Sequence, residues 1–270
     1  MKIIKYTSGD NSGAAVSENK KRILQIKPQL DTYYKKINGV RLPVKMYIPQ
    51  GKTKDGAAVL AIHGGSWNAV MTDENNWDGG RMNFQAQYYA DKEYVSAAIS
   101  YRSINFDDTT TVFDLIEDCK DAVRYMRNNA DFDKLIIIGD SAGGHLAVEL
   151  GMDVNVGASM VVGANPVLDL TADSWSATAK TAEERKKASP VYNIKKCNAS
   201  FLIMHGNRDK VADCKISRTF CEGMNRLGNK CNYYELDGAE HAFILSDYTS
   251  TDEQVDFYMK IIDDYIEKSI

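Results

Sequence analysis

The chain has no surplus of positive charge and no long apolar run. Its 270 residues carry a formal net charge of −4 at pH 7. Without basic residues to neutralise phosphates, nucleic-acid binding is not expected. No apolar stretch approaches the roughly 20 residues that cross a bilayer, and the first residues turn polar too early for a signal-peptide core. We therefore expect a cytoplasmic protein without a membrane segment.

Closely spaced cysteine pairs are also missing. The five cysteines are Cys119, Cys197, Cys214, Cys221 and Cys231. Their number is odd and none forms a Cys-x-x-Cys pair, so neither a metal site nor a redox site is expected. In a cytoplasmic protein this predicts reduced, mostly structural thiols. No repeat, low-complexity tract or Pro/Gly/Ser linker divides the sequence, which favours one domain over residues 1–270.

The most informative stretch is Lys134 to His145. Leu135 to Ile138 is a short apolar run that predicts a buried strand, and the residues after it have helical spacing. Between them, residues 139–143 read Gly-Asp-Ser-Ala-Gly. A Gly-x-Ser-x-Gly sequence between a strand and a helix is typical of a nucleophile elbow, which exposes the serine hydroxyl above a sheet. Ser141 is thus a candidate nucleophile, although a serine that only caps a helix would fit the same turn.

Apolar strands alternate with amphipathic helices along most of the chain. Predicted strands cover 2–6, 30–37, 40–48, 57–62, 94–101, 135–138, 158–163, 201–204 and 233–236, and predicted helices cover 79–91, 112–129, 144–152, 214–227 and 253–266. This alternation predicts an α/β fold with a mainly parallel sheet and helices on both faces. Asn38-Gly39 predicts a hairpin that adds antiparallel strands at one edge, with Pro43 at an edge or a bulge.

Residues 164–199 do not fit the alternation. They are polar and include Glu183-Glu184-Arg185-Lys186-Lys187. We interpret them as a short cap, or insertion, over the carboxyl edge of the sheet, where the loops of open α/β sheets carry the active site.

A serine hydroxyl needs a base to become a nucleophile. The chain has four histidines, and the order Ser, Asp or Glu, His that accompanies this elbow excludes His63 and His145. His241 follows the last predicted strand and can reach Ser141, whereas His205 as base would leave no suitable acid before it. We therefore predict His241 as the base, the alternative being a surface histidine without a role.

Asp209 is the predicted acid that orients His241. It lies in the loop after the predicted strand 201–204. Asp213 is a rival, but it directly precedes a predicted helix, so an N-cap explains it without catalysis. Asp169 and Asp173 fall in the cap and are poorer candidates.

Acyl transfer also needs N–H donors for the oxyanion. One is predicted to be the amide of Ala142, the residue after the nucleophile, and the other the amide of Gly65 or Ser66. A simple glycine turn after a buried strand fits the second loop equally well. Trp67 is a candidate for the substrate pocket, with packing alone as the alternative.

Four motifs in this order resemble the α/β-hydrolase fold: His63-Gly64-Gly65-Ser66-Trp67, the elbow, His205 to Asp209, and Gly238 to Phe243. Within that fold the chain resembles the hormone-sensitive-lipase-like esterases and the related carbohydrate acetyl and feruloyl esterases. The resemblance covers about residue 40 to the C-terminus. Ser66 replaces the third glycine of the lipase-type loop and the cap is short, so the resemblance does not extend to long-chain lipase activity.

The sequence thus predicts a serine carboxylesterase for short acyl esters, such as acetylated sugars, that uses no metal or other cofactor. An amidase of the arylformamidase type is a second hypothesis, because the same triad serves both reactions. A hydrolase fold used only for binding is a third, and it normally lacks a triad member. The expected partner is a small ester substrate.

Overall fold

The protein is described here from a computed structural model, which covers residues 1–7, 19–68, 82–246 and 248–270. Its strands are β1 (Lys2–Lys5), β2 (Leu30–Ile37), β3 (Val40–Tyr47), β4 (Ala57–Ile62), β5 (Val95–Ile99), β6 (Lys134–Asp140), β7 (Met160–Ala164), β8 (Ser200–Gly206) and β9 (Lys230–Asp237). The α-helices are α1 (Asn83–Asp91), α2 (Val112–Asn129), α3 (Ala142–Met152), α4 (Ala182–Lys187), α5 (Cys214–Arg226) and α6 (Asp252–Ser269).

All the described strands form one sheet in the order β1-β9-β8-β7-β6-β4-β5-β3-β2. The pairs from β1 to β5 in this order are parallel, while β3 pairs antiparallel with β5 and β2. The predicted α/β class, the parallel centre and the antiparallel hairpin at one edge are therefore confirmed.

The central strands bury both faces. In β6, Leu135 and Ile137 face one apolar core, and Ile136 and Ile138 face another. Helices α2, α3 and α5 cover the first core, and α1 and α6 cover the second. Side chains alternate across a strand, so a continuous apolar run such as β6 requires helices on both sides.

Pro43 lies inside the sheet, on β3, and the irregularity that it causes falls on the neighbouring strand. The register between β2 and β3 shifts between Tyr33 and Lys35, opposite Pro43. A proline has no N–H to donate to a ladder, and a bulge in the partner strand accommodates this loss. The Pro43 carbonyl still accepts a hydrogen bond from Ser100 N–H at 3.2 Å.

The predicted helix 79–91 begins at Asn83 in the structure, and residues 79–81 lie outside the described ranges. Between β7 and β8, the predicted cap contains only α4 and two short 3₁₀ segments, Asp173–Thr178 and Pro190–Tyr192. No described helix is long and apolar enough to cross a membrane.

One expectation about the cysteines is wrong. Cys221 on α5 and Cys231 on β9 form a disulfide, with their Cα atoms 5.2 Å apart. The spacing rule missed this pair because a helix and the following strand pack side by side, which brings together residues ten apart in sequence. Cys119, Cys197 and Cys214 are free thiols.

Candidate active site

Ser141 lies in the turn between β6 and α3. Its backbone dihedrals, φ 54° and ψ −116°, are unusual for a residue with a side chain, and such strain is concentrated at functional sites. The turn brings strand and helix so close that a Cβ on Gly139 would lie 2.1 Å from the Gly143 carbonyl oxygen. Glycine is therefore required here, as the elbow pattern predicts.

Ser141, His241 and Asp209 are joined by hydrogen bonds, although up to 100 residues separate them in sequence. The Ser141 hydroxyl lies 2.8 Å from His241 Nε2. His241 Nδ1 lies 2.6 Å from Asp209 Oδ2. Because a carboxylate only accepts, Nδ1 carries the proton and Nε2 is left to accept from the serine. This arrangement can remove the serine proton and hold the resulting imidazolium.

The Asp209 side chain is fully buried and its carboxylate accepts four hydrogen bonds. Oδ2 accepts from His241 and from His205 Nε2 at 3.1 Å, and Oδ1 accepts from the backbone N–H groups of Val211 and Ala212. Burial alone would raise the pKa of Asp209, but the hydrogen bonds from His205, His241 and Ala212 outweigh it and hold the pKa well below its usual value. The carboxylate is thus charged at neutral pH.

Asp213, the rival acid, occupies the N-cap of α5. Its Oδ1 accepts a hydrogen bond from Lys215 N–H at 2.9 Å. This is the capping role expected for an aspartate directly before a helix. In the described part of the chain, the carboxylate that is hydrogen-bonded to His241 belongs to Asp209.

The loop after β4 passes directly beside the nucleophile. A Cβ on Gly64 would lie 3.0 Å from Ser141 Cβ. Gly65, Ser66 and Trp67 follow with φ of 105°, 53° and 58°. Three consecutive residues with positive φ are rare, and for Ser66 and Trp67 the conformation costs energy that the surrounding contacts must offset. The structure therefore places Gly65 and Ser66 next to the elbow.

The other predicted donor, the amide of Ala142, belongs to the first residue of α3. Amide groups at a helix N-terminus point along the axis without intrahelical partners, and the helix dipole favours negative charge there. A developing oxyanion beside Ser141 would meet both effects.

Trp67 is buried and has no exposed surface. Its indole N–H donates to His145 Nδ1 at 3.4 Å, and its ring packs edge-on against Trp175. His145 Nε2 donates to the Ala188 carbonyl at 2.8 Å. Burial lowers the pKa of His145 to about 4, with a smaller opposing contribution from that hydrogen bond. His145 is thus a neutral packing residue under the elbow. Trp67 packs between His145 and Trp175, and Trp175 belongs to the cap.

Asn165, which the sequence analysis did not single out, connects two parts of the site. Its side-chain N–H donates to Asp140 Oδ1 at 3.1 Å, directly before the nucleophile. Its side-chain oxygen accepts from Ala242 N–H at 3.1 Å, directly after the base. Asn165 is buried with φ 36°, a region that asparagine tolerates better than most residues. In the sequence, the feature that could have indicated this role is an asparagine directly after a predicted buried strand.

A cavity of about 230 Å³ lies beside the triad. Its walls include Leu168, Trp175 and Val211. The neighbouring wall residue Val167 donates its backbone N–H to the Ser141 carbonyl at 3.4 Å, and Val211 bonds to Asp209. The cavity is therefore bounded by the cap segment and by the loop that carries Asp209, and its wall residue Val167 is hydrogen-bonded to the elbow.

A larger polar depression of about 520 Å³ includes Ser159, Ser200 and Lys230 in its wall. These residues lie at the starts of β7, β8 and β9, whereas Ser141 follows the end of β6. Because β6 to β9 run parallel, this depression is at the opposite edge of the sheet from the nucleophile.

The comparisons with known proteins agree with this geometry. The family model BD-FAE matches residues 44–172. Esterase LipC of Mycobacterium tuberculosis is 26% identical over 171 residues, which are 50% of this chain and 42% of that protein. The probable isoprenylcysteine alpha-carbonyl methylesterase ICMEL1 of Arabidopsis thaliana is 22% identical over 235 residues, covering 73% of this chain and 47% of that protein. The matches span less than half the length of both curated relatives.

Among solved structures, the apo form of Thermogutta terrifontis esterase 2 superposes with a TM-score of 0.75. It is 25% identical, and the alignment covers 88% of this chain and 94% of that one. The propionate-bound form of that esterase gives a TM-score of 0.73 at 25% identity, with 88% and 93% covered. Since the sheet order, the elbow and these relatives agree, the chain has the α/β-hydrolase fold, and the proteins that it resembles within that fold are esterases.

Proposed function

We propose that this protein is a carboxylesterase that hydrolyses short-chain acyl esters, with acetyl esters of sugars or similar small alcohols as its substrates. The observation that carries the proposal is the continuous hydrogen-bonded path from the Ser141 hydroxyl through His241 to the buried Asp209 carboxylate. A serine hydroxyl in hydrogen-bond contact with an imidazole that a carboxylate holds is the arrangement that nucleophilic attack requires.

The reaction proceeds through an acyl-enzyme. Ser141 Oγ attacks the acyl carbon while its proton passes to His241 Nε2, and Asp209 stabilises the imidazolium. The amides of Ala142 and of Gly65 or Ser66 donate to the oxyanion. The intermediate collapses as His241 protonates the departing alcohol. A water molecule that His241 deprotonates then attacks the acyl carbon and releases the acid and free Ser141.

The cavity beside the triad supports a short acyl group. Its volume, about 230 Å³, is below the roughly 300–1,000 Å³ typical of pockets for drug-sized ligands. Leu168 and Trp175 line it with apolar surface that suits an alkyl chain. The similar Thermogutta terrifontis esterase has been solved with propionate bound, a three-carbon acid.

Polar groups on the same wall support a hydroxylated alcohol. Asp169 and Ser174 line the cavity together with the apolar residues, and the Asp169 carboxylate already accepts from the hydroxyl groups of Thr171 and Tyr192. A carboxylate accepts hydrogen bonds from hydroxyl groups, and a site built to bind them discriminates strongly against analogues that lack them.

The test is a series of p-nitrophenyl esters from acetate to octanoate, measured beside acetylated xylo-oligosaccharides and N-formylkynurenine. We expect the highest kcat/KM for acetate or propionate and release of acetate from the oligosaccharides. A rate that rises toward octanoate would contradict the preference for short acyl groups. Faster hydrolysis of N-formylkynurenine than of the esters would favour the amidase hypothesis over the esterase.

Covalent labelling separates an enzyme from a binding protein with the same fold. A fluorophosphonate probe should label the wild-type chain and leave Ser141→Ala unlabelled. If the wild type is not labelled and hydrolyses none of the esters, the proposed function is wrong.

A further inference from the structure

His205, which has no place in the reaction just described, is in direct contact with the acid of the triad. It lies near the end of β8 and is fully buried. Its Nε2 is 3.1 Å from Asp209 Oδ2, the same oxygen that His241 Nδ1 approaches at 2.6 Å. One carboxylate oxygen is thus shared by two imidazoles.

The surroundings of His205 determine its tautomer. Nε2 faces two acceptors, Asp209 Oδ2 and the Ala212 carbonyl at 3.0 Å, so Nε2 must carry a proton. Nδ1 lies 2.7 Å from the hydroxyl of Ser217, a fully buried residue on α5. A hydroxyl can donate, so the neutral imidazole is satisfied at both nitrogens.

We propose that His205, held by Ser217, is a positioning residue that fixes the Asp209 carboxylate against His241. This inference rests on the proposed function of the triad. The His205 N–H occupies one lone pair of Oδ2, which leaves the remaining lone pair directed at His241. The Val211 and Ala212 amides hold Oδ1 in the same way.

The contact of His205 with Asp209 also modulates the strength of the hydrogen bond between Asp209 and His241. A second donor on the same oxygen withdraws charge from it and weakens its stabilisation of the His241 imidazolium. Among the described residues, the ionisable side chains in hydrogen-bond contact with Asp209 are His205 from β8 and His241 from the loop after β9. From α5, which packs against β8 and β9, the contact with His205 is the uncharged Ser217.

The test replaces His205 with methionine, which fills a similar volume without donating, and with glutamine, whose side-chain amide restores an N–H near the position of Nε2. For His205→Met we expect kcat/KM on p-nitrophenyl acetate to fall about tenfold, with KM nearly unchanged, as for lost supporting hydrogen bonds at other sites. We also expect the pH below which activity declines to rise by about half a unit. His205→Gln should recover most of both effects.

A spectroscopic readout does not depend on turnover. The proton on His241 Nδ1 should give a low-field ¹H NMR resonance that shifts in His205→Met and returns in His205→Gln. The matched control is His145→Gln, which removes another fully buried imidazole that bonds to Trp67 and Ala188 instead of the triad. It should lower stability but leave the resonance in place.

The inference is overturned if His205→Met lowers the melting temperature while the pH profile and the resonance match the wild type. If wild-type protein hydrolyses no ester, the proposed function fails, but the resonance still tests the contact between His205 and Asp209. Should His205→Met not fold, Ser217→Ala takes its place. It should shift the resonance in the same direction with a several-fold lower kcat/KM, and an unchanged resonance would count against the proposal.

Discussion

The side-chain oxygen of Asn165 accepts a hydrogen bond from the Ala242 backbone N–H at 3.1 Å. The same side chain donates to Asp140, so one buried amide joins the turn that carries Ser141 to the loop that carries His241. Such a bridge fixes the distance between nucleophile and base more firmly than either loop does alone.

Replacing Asn165 with alanine should therefore lower kcat about tenfold, with a smaller change in KM, since the base loses its support but the cavity keeps its shape. The measurement is steady-state kinetics on p-nitrophenyl acetate. Asn232→Ala is the matched control, because it removes a side-chain hydrogen bond to Tyr265 at the opposite end of the sheet. Equal kcat in the two variants would contradict the role of Asn165.

Asp209→Asn should reduce kcat by about 10⁴, because an amide cannot hold the imidazolium and can impose the wrong tautomer on His241. Asp213→Asn should remain within about threefold of wild type, because asparagine is an equally good N-cap. Both variants are compared by kcat on the same ester and by fluorophosphonate labelling rate. Comparable losses in the two would mean that the acid has been assigned to the wrong residue.

Two substitutions on the cavity wall should change acyl-chain preference in opposite directions. Trp175→Ala enlarges the cavity and should raise kcat/KM for the hexanoate ester relative to the acetate ester by about tenfold. This is within the range over which hydrophobic pockets discriminate. Val211→Trp narrows the mouth of the cavity and should reduce kcat/KM for the butyrate ester more than for the acetate ester. Because the Val211 side chain is 50% exposed, the stability of the protein should hardly change.

Val154→Trp serves as the control for the cavity variants, since Val154 is similarly exposed, at 56%, and follows the end of α3. The measurement is the ratio of kcat/KM values across the ester series. Ratios that stay the same in all three variants would show that the acyl group binds elsewhere.

Glu149, on α3, should make the protein less stable at alkaline pH. Burial raises its pKa to about 7, with the charge of Asp153 adding to the increase and those of Lys195 and Lys120 opposing it. Its Oε1 is buried, without a hydrogen-bond partner among the described residues. The folded pKa exceeds the unfolded value of 4.5, so the folded state binds more protons between them and stability is lost as pH rises through 7.

Glu149→Gln removes the cost of burying that charge. We expect the free energy of unfolding to exceed that of the wild type by about 2 kcal/mol at pH 8, and the difference to shrink toward pH 5. Urea titrations at the two pH values measure it. A difference independent of pH would exclude ionisation of Glu149 as its source.

The elements with strong periodicity could be predicted from sequence almost to the residue. The amphipathic helix predicted over 112–129 coincides with α2, whose Thr111 and Asp114 form a capping box. The last strand is predicted over 233–236 but spans Lys230–Asp237, because alternate residues such as Lys230 and Asn232 are exposed and dilute the apolar signal.

The support around the triad could not be predicted in this way. Chain order and strand ends predict that Ser141, His241 and Asp209 meet, because the elbow restricts where its partners can lie, and the structure brings these three side chains into hydrogen-bond contact. Asn165 bonds to residues 25 and 77 positions away. His205 bonds to Asp209 and Ser217, 4 and 12 positions away, across a loop without regular structure. Local propensity carries no information on such pairs. The disulfide between Cys221 and Cys231 was missed for the same reason.

The cap segment is attached to the rest of the fold at its two ends. Near one end, Leu168 and Leu170 are buried, and near the other the Ala188 carbonyl is bonded to His145 under the elbow. Most side chains between Thr171 and Lys187 are at least partly exposed. Mutations can accumulate in that stretch without moving the nucleophile, so descendants of this protein could acquire new ligands through this segment while inheriting the same site.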